Sequence, residues 1–184
     1  MTEKDIKRVE FLMNKQKKWC EEMPIAKKLI DKIEGYSDNS IVVAPGSETK
    51  DNVENLLEKG IIFGKEWKVE MNEMERNRCH QNSAKMWMEH IRKFCRDDKE
   101  LNPSLLICTG YMKTYDDYVW RQHTWLVDVK NHDIYETTVE AEIYFGYILD
   151  EYECLQHCFF ENEVDRNEYT NLWYPKLDND FGNF

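Results

Sequence analysis

A thiol at a helix start, an imidazole on a strand and a carboxylate on the strand after it can together break an acyl bond. This chain contains such a series. Asn77-Arg78-Cys79-His80-Gln81-Asn82 opens a helical pattern with a cysteine in its first turn. About forty residues on, Gln122-His123-Thr124-Trp125-Leu126-Val127-Asp128 reads as a strand, and Ile134-Tyr135-Glu136-Thr137-Thr138 reads as the strand that returns. The chain has six cysteines and five histidines, so their co-occurrence alone means little. The information lies in their order and placement.

The chemistry requires these positions for physical reasons. The thiolate, not the thiol, attacks. A free cysteine has a pKa of about 8.5, and a helix N-terminus or a nearby imidazolium lowers it to about 3.5–7.5. With Asn77 as N-cap of a helix over 78–96, Cys79 falls in the first turn, where backbone N–H groups and the dipole favour negative charge. Arg76 and Arg78 add positive potential, and a backbone N–H there could hold an oxyanion. His123 on a rigid strand serves as the base, and an acid orients its ring through the second nitrogen.

Two acids compete for that last role. Glu136, Thr138 and Glu140 alternate on one strand face. A tight-turn register through Lys130–Asp133 sets Glu140 opposite His123 and Glu136 nearer the turn; a twisted or bulged hairpin would change this. Asn82, one turn below Cys79, either helps orient the site and its oxyanion or bonds neighbouring backbone. Gln122 alternates to the face opposite His123 and is the weaker oxyanion candidate. Trp120 and Trp125 either line a substrate cleft or, as strand aromatics more often do, fill the core.

The elements around these residues follow from periodicity. Residues 3–34 read as helix broken near Pro24 and stopped at Gly35, and Lys15–Lys18 read as a solvated face. Ile41–Ala44 is a short strand. Ser47 or Thr49 caps a helix that Gly60 ends. Extended segments follow at 61–64 and 67–69. In the helix from Asn77, positions 79, 82, 83, 86, 87, 90 and 94 form one stripe, polar at its start and apolar beyond. Leu105–Met112 is a central strand and Tyr118–Val129 and Ile134–Val139 a hairpin. Asp150-Glu151-Tyr152-Glu153 is a capping box. A tail with Leu172, Trp173, Tyr174 and Pro175 docks on the body. Helices first, then a mostly antiparallel sheet, then a closing helix, indicate α+β.

Composition narrows the function classes. The 184 residues carry 25 basic and 36 acidic side chains, for a net charge of −11. That disfavours nucleic acid as a partner. No apolar signal region or run of about 18 apolar residues is present, so neither export nor a membrane is expected, and the cytoplasm with reduced thiols is the default. Nucleotide, dinucleotide, zincin and EF-hand motifs are absent. Cys154, His157 and Cys158 share a helical face, but a zinc site needs a fourth ligand, and packing through small sulfur side chains explains them better. His80 adjoins Cys79 but points about 100° away, His90 reads as a core or boundary histidine, and His132 lies in a turn.

The segment Cys79–Gly146 resembles small bacterial and phage members of the papain-like cysteine hydrolase superfamily, related to the NlpC/P60 and transglutaminase-like enzymes. The resemblance rests on Cys79 with Asn82 at a helix start, Gly110-Tyr111 on a strand, His123 with Trp125, Glu136 followed by Thr137, and Tyr144-Phe145-Gly146. Glu136-Thr137-Thr138 stands where the family has Asp-Pro-Thr. In such folds the acid follows the histidine by around a dozen positions, which implies Glu136 with Glu140 in reserve. The chain's length makes it a single domain over 1–184, with an N-terminal helical segment over 1–35 and a tail over 163–184; the resemblance, which does not reach the first 75 residues, implies a papain-like core over 75–162. It also implies Cys79 as nucleophile, His123 as base, and a peptide or other amide or ester substrate, with no metal or organic cofactor. The competing reading is a non-catalytic binding or inhibitor protein that engages a protein partner through the same scaffold.

Overall fold

The computed structural model describes residues 3–37, 40–43, 45, 48–96, 104–115 and 118–161. Ser47, residues 102–103 and the tail over 163–184 lie outside the described residues. The elements are α1 (Glu3–Glu22), α2 (Ala26–Glu34), β1 (Ile41–Val43), α3 (Lys50–Lys59), β2 (Ile61–Phe63), β3 (Lys68–Met71), α4 (Cys79–Arg96), β4 (Leu105–Lys113), β5 (Val119–Asp128), β6 (Asp133–Glu136), β7 (Ile143–Ile148), α5 (Glu151–Gln156) and a π-helical turn, His157–Glu161. The class is α+β with a mostly antiparallel sheet. Hydrogen-bonded strand neighbours run β2-β7-β4-β5-β6-β3, with β1 parallel to β5. The chain divides into two compact units.

The first unit comprises residues 1–67, 108–124 and 139–148. Pro24 separates α1 from α2, and Gly35 ends α2 as the sequence expects. Ala26, Leu29, Ile30 and Ile33 of α2 are fully buried, which is the apolar stripe read from the sequence. Lys32 Nζ donates to the carbonyls of Leu56, Leu57 and Gly60 at the end of α3. A cation there complements the helix dipole. Thr49 is the N-cap of α3, its side chain accepting from Asn52 N at 3.2 Å. Tyr111 is fully buried and donates to Glu48 Oε2 at 2.7 Å. Burial, reinforced by the Glu48 carboxylate, raises its phenol well above the usual range.

The second unit comprises residues 68–107, 125–138 and 149–184. Here β3 runs parallel to β6, and β6 antiparallel to the end of β5. Trp87 of α4 is fully buried and its indole N–H donates to Leu105 O at 3.1 Å. The Asp150 capping box is formed in both directions, Glu153 N to Asp150 Oδ1 at 2.8 Å and Asp150 N to Glu153 Oε2 at 2.9 Å. Cys154 and Cys158 are buried packing residues. Cys154 Sγ accepts from Ile107 N and donates to Leu149 O, and Cys158 Sγ donates to Ala84 O. Burial pushes the Cys154 thiol up to about 12.

His90 of α4 is half-buried in this unit. Burial lowers its pKa, Lys93 lowers it further and Asp128 partly opposes. Its folded pKa therefore lies below the unfolded value of about 6.5. The unfolded state binds the proton first, so stability present above pH 6.5 is lost as the pH falls through the folded pKa. Denaturant midpoints measured between pH 7.5 and 5 should fall with acid, and His90→Gln should flatten part of that slope.

The turn between β5 and β6 lies one residue earlier than the sequence suggests. The observed register pairs Leu126 with Tyr135, Val127 with Ile134 and Asp128 with Asp133. Asp128 is the cause. Its Oδ1 accepts from Lys130 N at 2.9 Å and Asn131 N at 3.1 Å, and its Oδ2 from Asn131 Nδ2 at 2.9 Å. That is an Asx-type turn started at Asp128, closed by His132 in the left-handed region at φ 58°.

Candidate active site

Cys79 is the first residue of α4 and is partly exposed. The helix begins one residue later than expected. Asn82 N donates to Arg78 O at 2.8 Å, so Arg78 supplies the first acceptor of the helix and occupies the cap position. Asn77 instead sits in the preceding turn at φ 61°. Asparagine tolerates that left-handed conformation better than most residues. The shift brings Cys79 closer still to the positive end of the helix dipole.

The approach to Cys79 is held by the strand that carries Glu136. Beyond β3, Asn72 N donates to Glu136 O at 2.7 Å and Met74 N to Thr137 O at 2.9 Å. Asn82, only 2 % exposed, then donates from Nδ2 to Glu75 O at 2.7 Å. Of its two sequence readings, the bond to neighbouring backbone is the one seen. It ties the second turn of α4 to the loop that delivers Cys79.

Glu136 is fully buried at the end of β6. Its Oε1 accepts from Thr137 N at 2.8 Å, Thr138 N at 2.9 Å and Thr138 Oγ1 at 3.2 Å. The carboxylate captures the next two backbone donors, and this ends the strand at Glu136 instead of Val139. Sequence reasoning missed these donors; the signal was the short polar pair Thr137-Thr138 directly after the acid. Glu140 is exposed and lies outside the strands. Continued by one pair, the β5–β6 register sets Glu136 across from Trp125, so the expected pairing of Glu140 with His123 is replaced.

His123 is buried on β5, 3 % exposed. Gln122 lines a small cavity in the first unit with Glu48, Asn52, Thr109 and Tyr147, and His123 does not. Opposite faces for Gln122 and His123 agree with strand alternation. Trp120 and Trp125 have no exposed surface, and Trp120 Nε1 donates to Ser40 Oγ at 3.1 Å. Both are core side chains, so the cleft reading for them is replaced. His80 faces His157, with ring centroids 6.0 Å apart at 55°. Among the described residues no three His, Cys, Asp or Glu side chains gather as a metal ion would need. No described helix is long and apolar enough to cross a membrane.

No family model matches the chain, and neither a curated protein nor a solved structure matches it.

Proposed function

We propose that the chain is a cysteine-dependent hydrolase or acyl transferase of papain-like design, with Cys79 as nucleophile, His123 as base and Glu136 as orienting acid. The observation that carries this reading is the fully buried Glu136 carboxylate, locked through Oε1, on the residue whose carbonyl also anchors the loop into Cys79. A buried carboxylate is costly unless hydrogen bonds or a charge partner satisfy its oxygens. Locking one oxygen fixes how the carboxylate is held, and the reading gives Glu136 the orienting role.

In this reaction the Cys79 thiolate attacks the carbonyl carbon of an amide or ester. First-turn N–H groups of α4 stabilise the developing oxyanion. The C–N or C–O bond breaks, the leaving amine or alcohol takes its proton from the His123 imidazolium, and a thioester remains. Water gives a proton to His123 and attacks the thioester. This releases the acid product and regenerates the thiolate–imidazolium pair. An amine in place of water makes the reaction a transfer, and a side-chain amide substrate makes it a deamidation.

Iodoacetamide tests the thiol directly. Cys79 should be alkylated first at pH 6.5. Cys20 is also partly exposed, but burial raises its thiol pKa, and Cys108, Cys154 and Cys158 are buried. Comparable slow labelling of Cys79 and Cys20 would favour a binding protein over an enzyme.

A further inference from the structure

β3 is the last strand of the sheet order, and one side of it has no neighbour among the described residues. The direction of its hydrogen bonds is fixed. Lys68 N donates to His132 O, Asn72 N to Glu136 O and Met74 N to Thr137 O. In a parallel pair the alternate residues turn their N–H and C=O the other way. Those residues are Val69, Met71 and Glu73, and no described residue bonds their backbone groups. Val69 and Met71 therefore present donors and acceptors in strand geometry within β3, and Glu73 follows just beyond its end. Met71 and Met74 add exposed apolar surface beside them, 39 % and 38 % accessible.

A cleft of about 580 Å³ adjoins this edge. It is lined by Glu73 and Met74 from the segment after β3, by Met86, Glu89 and Lys93 from α4, and by Asp128 from β5. Glu73 belongs to both features, so a strand added at the edge would send alternate side chains into the cleft. The cleft offers methionine surface, which adapts to varied side chains. It also holds three carboxylates against one lysine. His90 also lines it, and burial lowers its pKa. The whole chain is acidic as well, with a net charge of −11.

We propose that the β3 edge and the adjoining cleft dock an extended peptide bearing basic side chains, bound by strand addition. The segment that follows this edge leads through Glu75 to Cys79. The proposal deepens the hydrolase reading by naming the class of substrate, and rests on that reading for this role; the docking itself can be tested without catalysis.

The probe is a fluorescein-labelled peptide alternating valine and lysine, titrated by anisotropy against the full chain carrying Cys79→Ala. Two altered peptides accompany it, one N-methylated at alternate residues and one with glutamate for lysine. Each should bind at least about tenfold more weakly, since each loses two or more interactions of the size of a hydrogen bond. Met71→Pro removes one outward N–H and should weaken the valine–lysine peptide similarly, with iodoacetamide labelling of Cys79 unchanged in the otherwise native chain. The methylated peptide needs no change to the protein and keeps the test valid should Met71→Pro fail to fold. Equal binding of all three peptides, or none of the first, overturns the docking. So does a dimer in sedimentation that Met71→Pro dissociates, because the edge would then belong to a second copy. Peptide binding with an inert Cys79 would leave the docking standing and remove the hydrolase reading.

Discussion

Glu136→Ala is expected to destabilise the protein by about 3–5 kcal/mol, and Glu136→Gln by markedly less. The alanine removes the acceptor for Thr137 N, Thr138 N and Thr138 Oγ1 at once. Thr137 is fully buried and Thr138 part-buried, so water replaces the lost acceptor poorly. A donor to a charged acceptor contributes about 1.5–3 kcal/mol, and the three share one oxygen, so their sum is less than additive. Glutamine keeps an oxygen where Oε1 stands but loses the charge. Urea unfolding of the two variants separates these contributions. Glu136→Gln should also slow alkylation of Cys79 near neutral pH while the fold survives, because an amide stabilises an imidazolium less than a carboxylate does. Glu140→Gln, on an exposed residue outside the strands, should change neither stability nor alkylation.

Gly110→Ala is expected to cost about 2–4 kcal/mol, from overpacking. Gly110 of β4 lies directly opposite Gly146 of β7. A Cβ there would stand 2.2 Å from Phe145 O and 2.5 Å from Gly146 Cα. Both are backbone atoms of a paired strand, so neither can turn aside as a side-chain tip can. Relief requires β4 and β7 to separate locally, which loosens ladder bonds on both sides. The conformation at Gly110 is not the issue, since no glycine described has positive φ. Thermal unfolding should show a lower midpoint with alkylation of Cys79 retained below it.

Local chemistry explains which features the sequence revealed. The break at Pro24, the stop at Gly35 and the Asp150 capping box each depend on residues within one turn of each other, and each was read correctly; for α3 the sequence offered Ser47 or Thr49 as cap, and Thr49 is the one seen. The runs that became β4 and β5 announced themselves by composition. β7 did not read as a strand from its pattern. Tyr144 to Tyr147 are buried on both faces, so no alternation marks them, and the partners β2 and β4 are distant in sequence. The parallel pairings of β1 with β5 and β3 with β6 are equally non-local.

The candidate site was legible as residue types in order. Its fine placement was not, because small shifts decided it. One carboxylate, Asp128, moved the hairpin turn by a residue and with it the register. One left-handed asparagine moved the start of α4 onto Cys79. Each is a local hydrogen-bonding or backbone preference weaker than the hydrophobic pattern around it, and the pattern alone does not resolve single residues.

The pH dependence of Cys79 alkylation tests the central claim most directly. If His123 and Cys79 form a thiolate–imidazolium pair, the iodoacetamide rate at Cys79 stays high down to about pH 6, and His123→Asn moves the rise toward the free-thiol value of about 8.5. An unaltered profile in His123→Asn, or a wild-type profile that already rises only near 8.5, would contradict it.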